Sequence, residues 1–153
     1  MVVRFVRLKM IAVLVALIGL VTMAEAQNPF EPLSASDIRA SLFGQRMTGE
    51  YPSGKGWAEQ FNRDGTSVYV EAGRPAEGLM TFEGRNLCFA YPGTTQTGGC
   101  FEVWKRGTNC FDFYAIDNGT TNTRLDDRRF GRSWSARGWL EGKPATCVTE
   151  QIS

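Results

Sequence analysis

Three Cys-Phe steps, Cys88-Phe89, Cys100-Phe101 and Cys110-Phe111, come in close succession, always with the cysteine first. In a β-strand successive side chains leave opposite faces, so this repeated order sorts the two residue types onto the two sides of one sheet. One side collects Leu87, Phe89, Phe101, Val103, Phe111 and Phe113, an apolar set that demands a core. The reverse side collects Cys88, Cys100 and Cys110 with Asn86, Glu102, Trp104, Asp112 and Tyr114, the mixture expected of a half-exposed surface. Folding the chain about Thr94 sets Cys88 opposite Cys100 and Leu87 opposite Phe101, so the thiols and the apolar pattern accept one register. Folding about Gly107 sets Cys110 opposite Trp104 and leaves Cys110 to find Cys147 on the last strand.

Four cysteines allow three pairings, and sequence alone does not choose among them. The register favours Cys88 with Cys100 and Cys110 with Cys147. The longer of those loops contributes about 3 to 4 kcal/mol on the chain-entropy model. Zinc sites and thioredoxin-like redox sites call for Cys-x-x-Cys or nearby histidine, and a cysteine nucleophile calls for an activating base. The chain has no histidine and no Cys-x-x-Cys. Covalent staples are the expectation, with neither metal nor cofactor.

Disulfides belong to an oxidising compartment, and the N-terminus points there too. Arg4, Arg7 and Lys9 precede an apolar run from Met10 to Met23 that ends in Ala24-Glu25-Ala26. This is the pattern of a secretory leader, residues 1–26, cleaved after Ala26. The expectation is therefore a periplasmic or secreted single domain, residues 27–153, with no membrane span after cleavage and a monomeric state. The leader carries Arg4, Arg7, Lys9 and Glu25, so the mature domain is nearly neutral. Nucleic acid and anionic membranes are recognised through clustered Lys and Arg, and no such cluster is present.

Residues 34–44 predict one short helix, with Ser34 or Ser36 as N-cap, Asp37 in the first turn, Ile38 and Leu42 a turn apart and Gly44 as the stop. From Met47 the apolar period becomes two. Strands are expected at 56–61, 66–71, 78–83, 86–91, 100–105, 110–116, 121–125, 133–140 and 145–149. Asp64-Gly65 joins the first two as a hairpin, and none of the six prolines interrupts a strand. The fold class is mainly β: an antiparallel meander of about eight strands, closed into a small lipocalin-like barrel or folded as a sandwich, with the helix plugging one end. Closure is favoured because it removes the sheet edges.

The absence of histidine removes imidazole acid–base chemistry, so no catalytic residue is assigned. The enzyme reading that survives is a carboxylate-based hydrolase of glycosidase type, drawn from Glu50, Glu59, Asp64, Glu71, Glu102, Asp112, Asp126 and Asp127. Of these, Asp126 and Asp127 read as a solvated loop paired with Arg124, Arg128 and Arg129. The leading expectation is a binding or envelope-associated module whose partner is an envelope protein or a small ligand. Its candidate binding residues are Trp57, Trp104, Tyr114 and Trp134, because small barrels present aromatic side chains to ligands when they do not fill the core.

Leu42-Phe-Gly44, Thr48-Gly49, Gly56-Trp57, Phe61, Asp64-Gly65-Thr66, Leu87-Cys-Phe89, Tyr91, Cys100, Val103 and Cys110-Phe-Asp-Phe-Tyr114 together resemble a group of small secreted proteobacterial proteins. That group is known only as a domain of unknown function (DUF995-like). Where it has Gly-x-Trp ahead of the cysteine hairpin, this chain has Gly78-Leu-Met80. The resemblance implies an extracytoplasmic β domain and carries no catalytic residues.

Overall fold

The computed structural model describes residues 31–147. The leader reading falls outside them, as does the end of the strand expected at 145–149. The described chain opens with helix α1 (Ala35–Leu42) and continues through β1 (Arg46–Glu50), β2 (Gly56–Phe61), β3 (Thr66–Glu71), β4 (Arg74–Glu83), β5 (Asn86–Ala90), β6 (Gly99–Lys105) and β7 (Phe111–Asp117). It ends with β8 (Thr120–Thr121), a short helix α2 (Leu125–Arg129) and β9 (Ala136–Leu140). Strands β1 to β7 pair in sequence, β7 pairs with β9, and β9 returns to β1, all antiparallel. The result is a closed barrel of eight strands, with β8 appended to β7 as a ninth. Among the described residues no helix is long and apolar enough to cross a membrane.

Helix α1 is fixed at its start by a capping box: the Asp37 amide donates to Ser34 Oγ (3.2 Å) and the Ser34 amide donates to Asp37 Oδ2 (3.1 Å). It ends at Gly44, whose φ of +81° opens the turn into β1 and whose amide donates to the Phe61 carbonyl. Ile38 and Leu42 are fully buried in the core cluster with Phe61, Leu87 and Phe111. These core residues sit where β2 ends and β5 and β7 begin, so α1 closes that end of the barrel. Arg39 lies over the Phe82 ring at 4.5 Å and completes the plug.

Strand alternation places the interior. On β2 the inward side chains are Trp57, Glu59 and Phe61, and on β3 the inward row begins with Ser67 and Tyr69. The Cys-Phe parity holds: Leu87, Phe89, Val103, Phe111 and Phe113 are buried in the core, and Phe101 packs partly buried against it. Cys88 stands opposite Cys100, and Leu87 opposite Phe101. Both favoured disulfides form, Cys88–Cys100 and Cys110–Cys147, and no cysteine is free. A thiol reagent added to the unfolded, unreduced protein is expected to find nothing to label. One labelled cysteine per chain would break this pairing.

Several expectations are corrected. The strand pair β6–β7 turns around a loop centred one residue later than Gly107, so Trp104 faces Asp112 and the Arg106 amide donates to the Cys110 carbonyl. A slip of two residues keeps the parity, which is why the faces survive the error. Strand β1 is a separate strand that the sequence pattern does not delimit, and β4 starts earlier than expected, at Arg74, taking in Pro75. The proline is tolerated because it is exposed and second in the strand. Residues expected as a strand at 121–125 give only the two-residue β8 before α2 begins. Asp126 and Asp127 in the first turn of α2 and Arg128 and Arg129 in its last complement the helix dipole, and that charge order outweighs a weak strand pattern. The strand expected at 133–140 begins only at Ala136, because Ser133 has a φ of +54°.

Residues 145–147 are not a strand. They are tied down by buried Asn109, whose amide donates to Thr146 Oγ1 (2.8 Å) and whose Nδ2 donates to the Leu140 and Pro144 carbonyls (3.1 Å each). This clamp places Cys147 beside Cys110.

Candidate functional site

The barrel end opposite α1 is open. There β2, β3, β5, β6, β7, β9 and the loop from Tyr91 to Gly98 enclose a cavity of about 290 Å³. Trp57, Phe89, Phe101 and Phe113 form its apolar walls, Tyr51, Tyr69 and Tyr91 bring phenols, and Glu59 and Glu71 bring carboxylates. Threonines 95 and 97 with Gln96 contribute a polar lip.

Close approaches between backbone and rings shape this space. Gly49 on β1 pairs with Trp57 on one side and with Gly138 of β9 on the other. A Cβ at Gly49 would run into the Trp57 indole, and one at Gly138 would stand 2.8 Å from its Cη2. The two glycines let the indole lie flat across the inner wall, where it meets the Phe113 ring edge-on at 6.1 Å. Gly78 does the same for Tyr91, since a Cβ there would stand 2.7 Å from its Cε1.

Tyr91 reaches inward and its hydroxyl donates to Glu59 Oε1 at 2.9 Å. The Tyr69 ring lies 5.4 Å from the Tyr91 ring, and the Tyr51 and Tyr69 hydroxyls share a hydrogen bond of 2.7 Å. Glu59 is only 4% exposed. Burial pushes its carboxyl up to about 7, against the opposing pull of the Ser67 and Tyr91 hydroxyls. Burial also raises the Tyr91 phenol, and the Glu59 charge raises it further, so Tyr91 stays protonated and donates. Burial raises Tyr69 as well. The indole Nε1 of Trp57 is buried with no hydrogen-bond acceptor among the described residues.

The four sequence candidates separate. Trp57 belongs to the cavity wall. Trp104 and Tyr114 do not: both are fully buried on the outer face of β6 and β7, where a half-exposed surface was expected. The segment containing α2 covers them. Arg106 lies over the Trp104 ring at 5.0 Å and donates through Nη2 to the Tyr114 hydroxyl and the Arg128 carbonyl, while Arg128 pairs with Glu102 at 3.1 Å. Trp134 is half-buried away from the cavity, with the Arg137 guanidinium over its ring at 4.9 Å.

Of the eight candidate carboxylates, Glu59 and Glu71 alone line the cavity. Asp64 caps the β2–β3 turn through Thr66, and Asp126 and Asp127 pair with Arg129 and Arg132 around α2. Asp112 is fully buried beneath α2, held by Arg106 at 2.8 Å and by Arg137 at 2.6 Å. Glu83, Cys88 and Cys100 come within metal-ligand distance of one another, but the sulfurs are joined in a disulfide and offer no thiolate.

Glu59 is the cavity residue that the sequence pattern leaves unranked among eight acids, although it shares parity with Trp57 and Phe61, both apolar and inward. No family model matches the chain, and no curated protein matches it.

Proposed function

We propose that this protein is a non-enzymatic, extracytoplasmic binding protein that holds a small ligand in the open end of its barrel. The observation that carries the reading is the cavity itself: about 290 Å³, walled by aromatic rings, plugged at one end by α1 and open at the other. Pockets that take small molecules are concave and mostly apolar, with a few fixed polar groups that set orientation. Glu59, Tyr91 and the Tyr51–Tyr69 pair are such groups. The secretory leader read from the sequence and the two disulfides support a periplasmic or secreted location. Kinship with the DUF995-like secreted proteins is part of the same proposal and rests on the shared cysteine and turn residues.

The neutral dye phenylnaphthylamine tests it. Its fluorescence is expected to rise saturably with the wild-type protein and to stay flat with Ala136→Trp, which fills the cavity from β9. Circular dichroism checks that the variant keeps its fold. No saturable signal, or equal binding by both proteins, would overturn the reading.

One observation favours a second reading, a carboxylate-based hydrolase: Glu59 has the raised carboxyl of a general acid, and Glu71 shares its cavity. That reading stands if Glu71→Gln abolishes turnover of an aryl glycoside and leaves dye binding intact, and it falls if the wild-type protein turns none over.

A further inference from the structure

The charges facing the cavity have one sign. Glu59 and Glu71 line it, and among the described residues no lysine or arginine does. The groups that face Glu59 are hydroxyls or a second acid: Ser67, Tyr69 and Glu71 from β3, Tyr51 from the turn after β1, and Tyr91 from the loop after β5. From β4 the inward residue at this level is Gly78, which carries no charge. A carboxylate taken out of water normally has a cation beside it, because hydroxyl donors recover only part of the lost solvation. Here no cation pairs with Glu59 among the described residues. An anionic ligand would meet two acids and nothing to offset them. A cation would find a counter-ion at Glu59 and the faces of electron-rich rings around it, the combination that selects ammonium groups.

We propose that the cavity binds a small organic cation, an ammonium carried on an apolar body, with Glu59 as its counter-ion and the rings of Trp57, Tyr69 and Tyr91 as its walls. This rests on the ligand-binding function proposed for the barrel and names the chemical class of the ligand. Glu59 carries a proton below about pH 7. A permanent cation entering at lower pH therefore releases that proton to solvent, and its affinity falls as the pH drops through that value.

Displacement of phenylnaphthylamine by three probes decides it: benzyltrimethylammonium, its uncharged carbon isostere neopentylbenzene, and the smaller anion benzoate. The quaternary cation is expected to displace the dye about ten-fold or more tightly than the isostere at about pH 8, with benzoate weaker than both. Its affinity is expected to fall about ten-fold between about pH 8 and about pH 6, a change the ligand cannot cause because it does not titrate. Glu59→Gln is expected to remove both the preference and the pH dependence. Equal displacement by the isostere or by benzoate, a flat pH profile in the wild-type protein, or a preference kept by Glu59→Gln would each overturn the proposal. If Glu59→Gln does not fold, the wild-type profile alone decides. Failure of the dye itself to bind overturns the cavity reading and this one together. Dye binding without a preference for the cation overturns this one only.

Discussion

Replacing Asp112 with alanine is expected to lower the unfolding free energy by about 3 to 5 kcal/mol, the range for breaking a buried ion pair by removing one partner. The residue is fully buried, and its two oxygens are taken by Arg137 Nε (2.6 Å) and Nη2 (3.0 Å) and by Arg106 Nε (2.8 Å). Arg137 is itself 4% exposed, so losing the carboxylate leaves a guanidinium in the interior with, among the described residues, only the Gly131 carbonyl to accept from it. Arg106 would lose the anchor from which it reaches the carbonyls of Arg128 and Arg129, and with it the cover over Trp104 and Tyr114. Asp112→Asn keeps the shape and one acceptor and should cost less than alanine. Urea unfolding followed by tryptophan fluorescence measures both. A loss under about 1 kcal/mol for Asp112→Ala would show that the network adds nothing to the fold.

That cluster also marks where the sequence stops being readable. Period-two alternation and the Cys-Phe order carry the barrel interior, because parity along a strand is a local property that needs no knowledge of neighbours. The first hairpin register is legible for the same reason: one fold point satisfies two constraints, Cys88 with Cys100 and Leu87 with Phe101. The second has no such pair of constraints, and its register differs from the expected one by two residues. The outer face of β6 and β7 reads as a surface because Glu102, Trp104, Asp112 and Tyr114 alternate as a surface does. What buries them is a segment around α2 that returns from later in the chain, and no local pattern announces such a cover. The available signal is chemical: an aspartate flanked on its own strand by Phe111 and Phe113, with arginines at 106 and 137 to meet it and Arg128 to meet Glu102. Glu59 is legible from parity. Alternation with Trp57 and Phe61 marks it as inward, and treating it as one acid among eight discards that information.

The same inward carboxyl gives the fold a stability that depends on pH in an unusual direction for an acid. In the unfolded chain Glu59 titrates near the ordinary glutamate value of about 4.3, whereas burial holds it up to about 7 in the folded barrel. Between those values the folded state binds a proton that the unfolded state has released. Stability therefore falls as the pH rises through that window and levels off above it, the opposite of a salt-bridged carboxylate. The full difference corresponds to about 3 to 4 kcal/mol, most of it lost between about pH 5 and about pH 8. The chain contains no histidine, so the window in which imidazoles usually obscure such an effect is open. Urea unfolding of the wild-type protein is expected to give a free energy about 3 kcal/mol higher near pH 5 than near pH 8. Glu59→Gln keeps the side-chain shape, cannot ionise, and should flatten the profile while matching the wild type most closely at the acid end. At the alkaline end it should exceed the wild type, because a neutral amide in the wall of an acidic cavity no longer carries the cost of a buried charge. A wild-type profile that climbs through this window, or a slope that persists in Glu59→Gln, would mean that Glu59 is ionised in the folded barrel at neutral pH at no cost to stability.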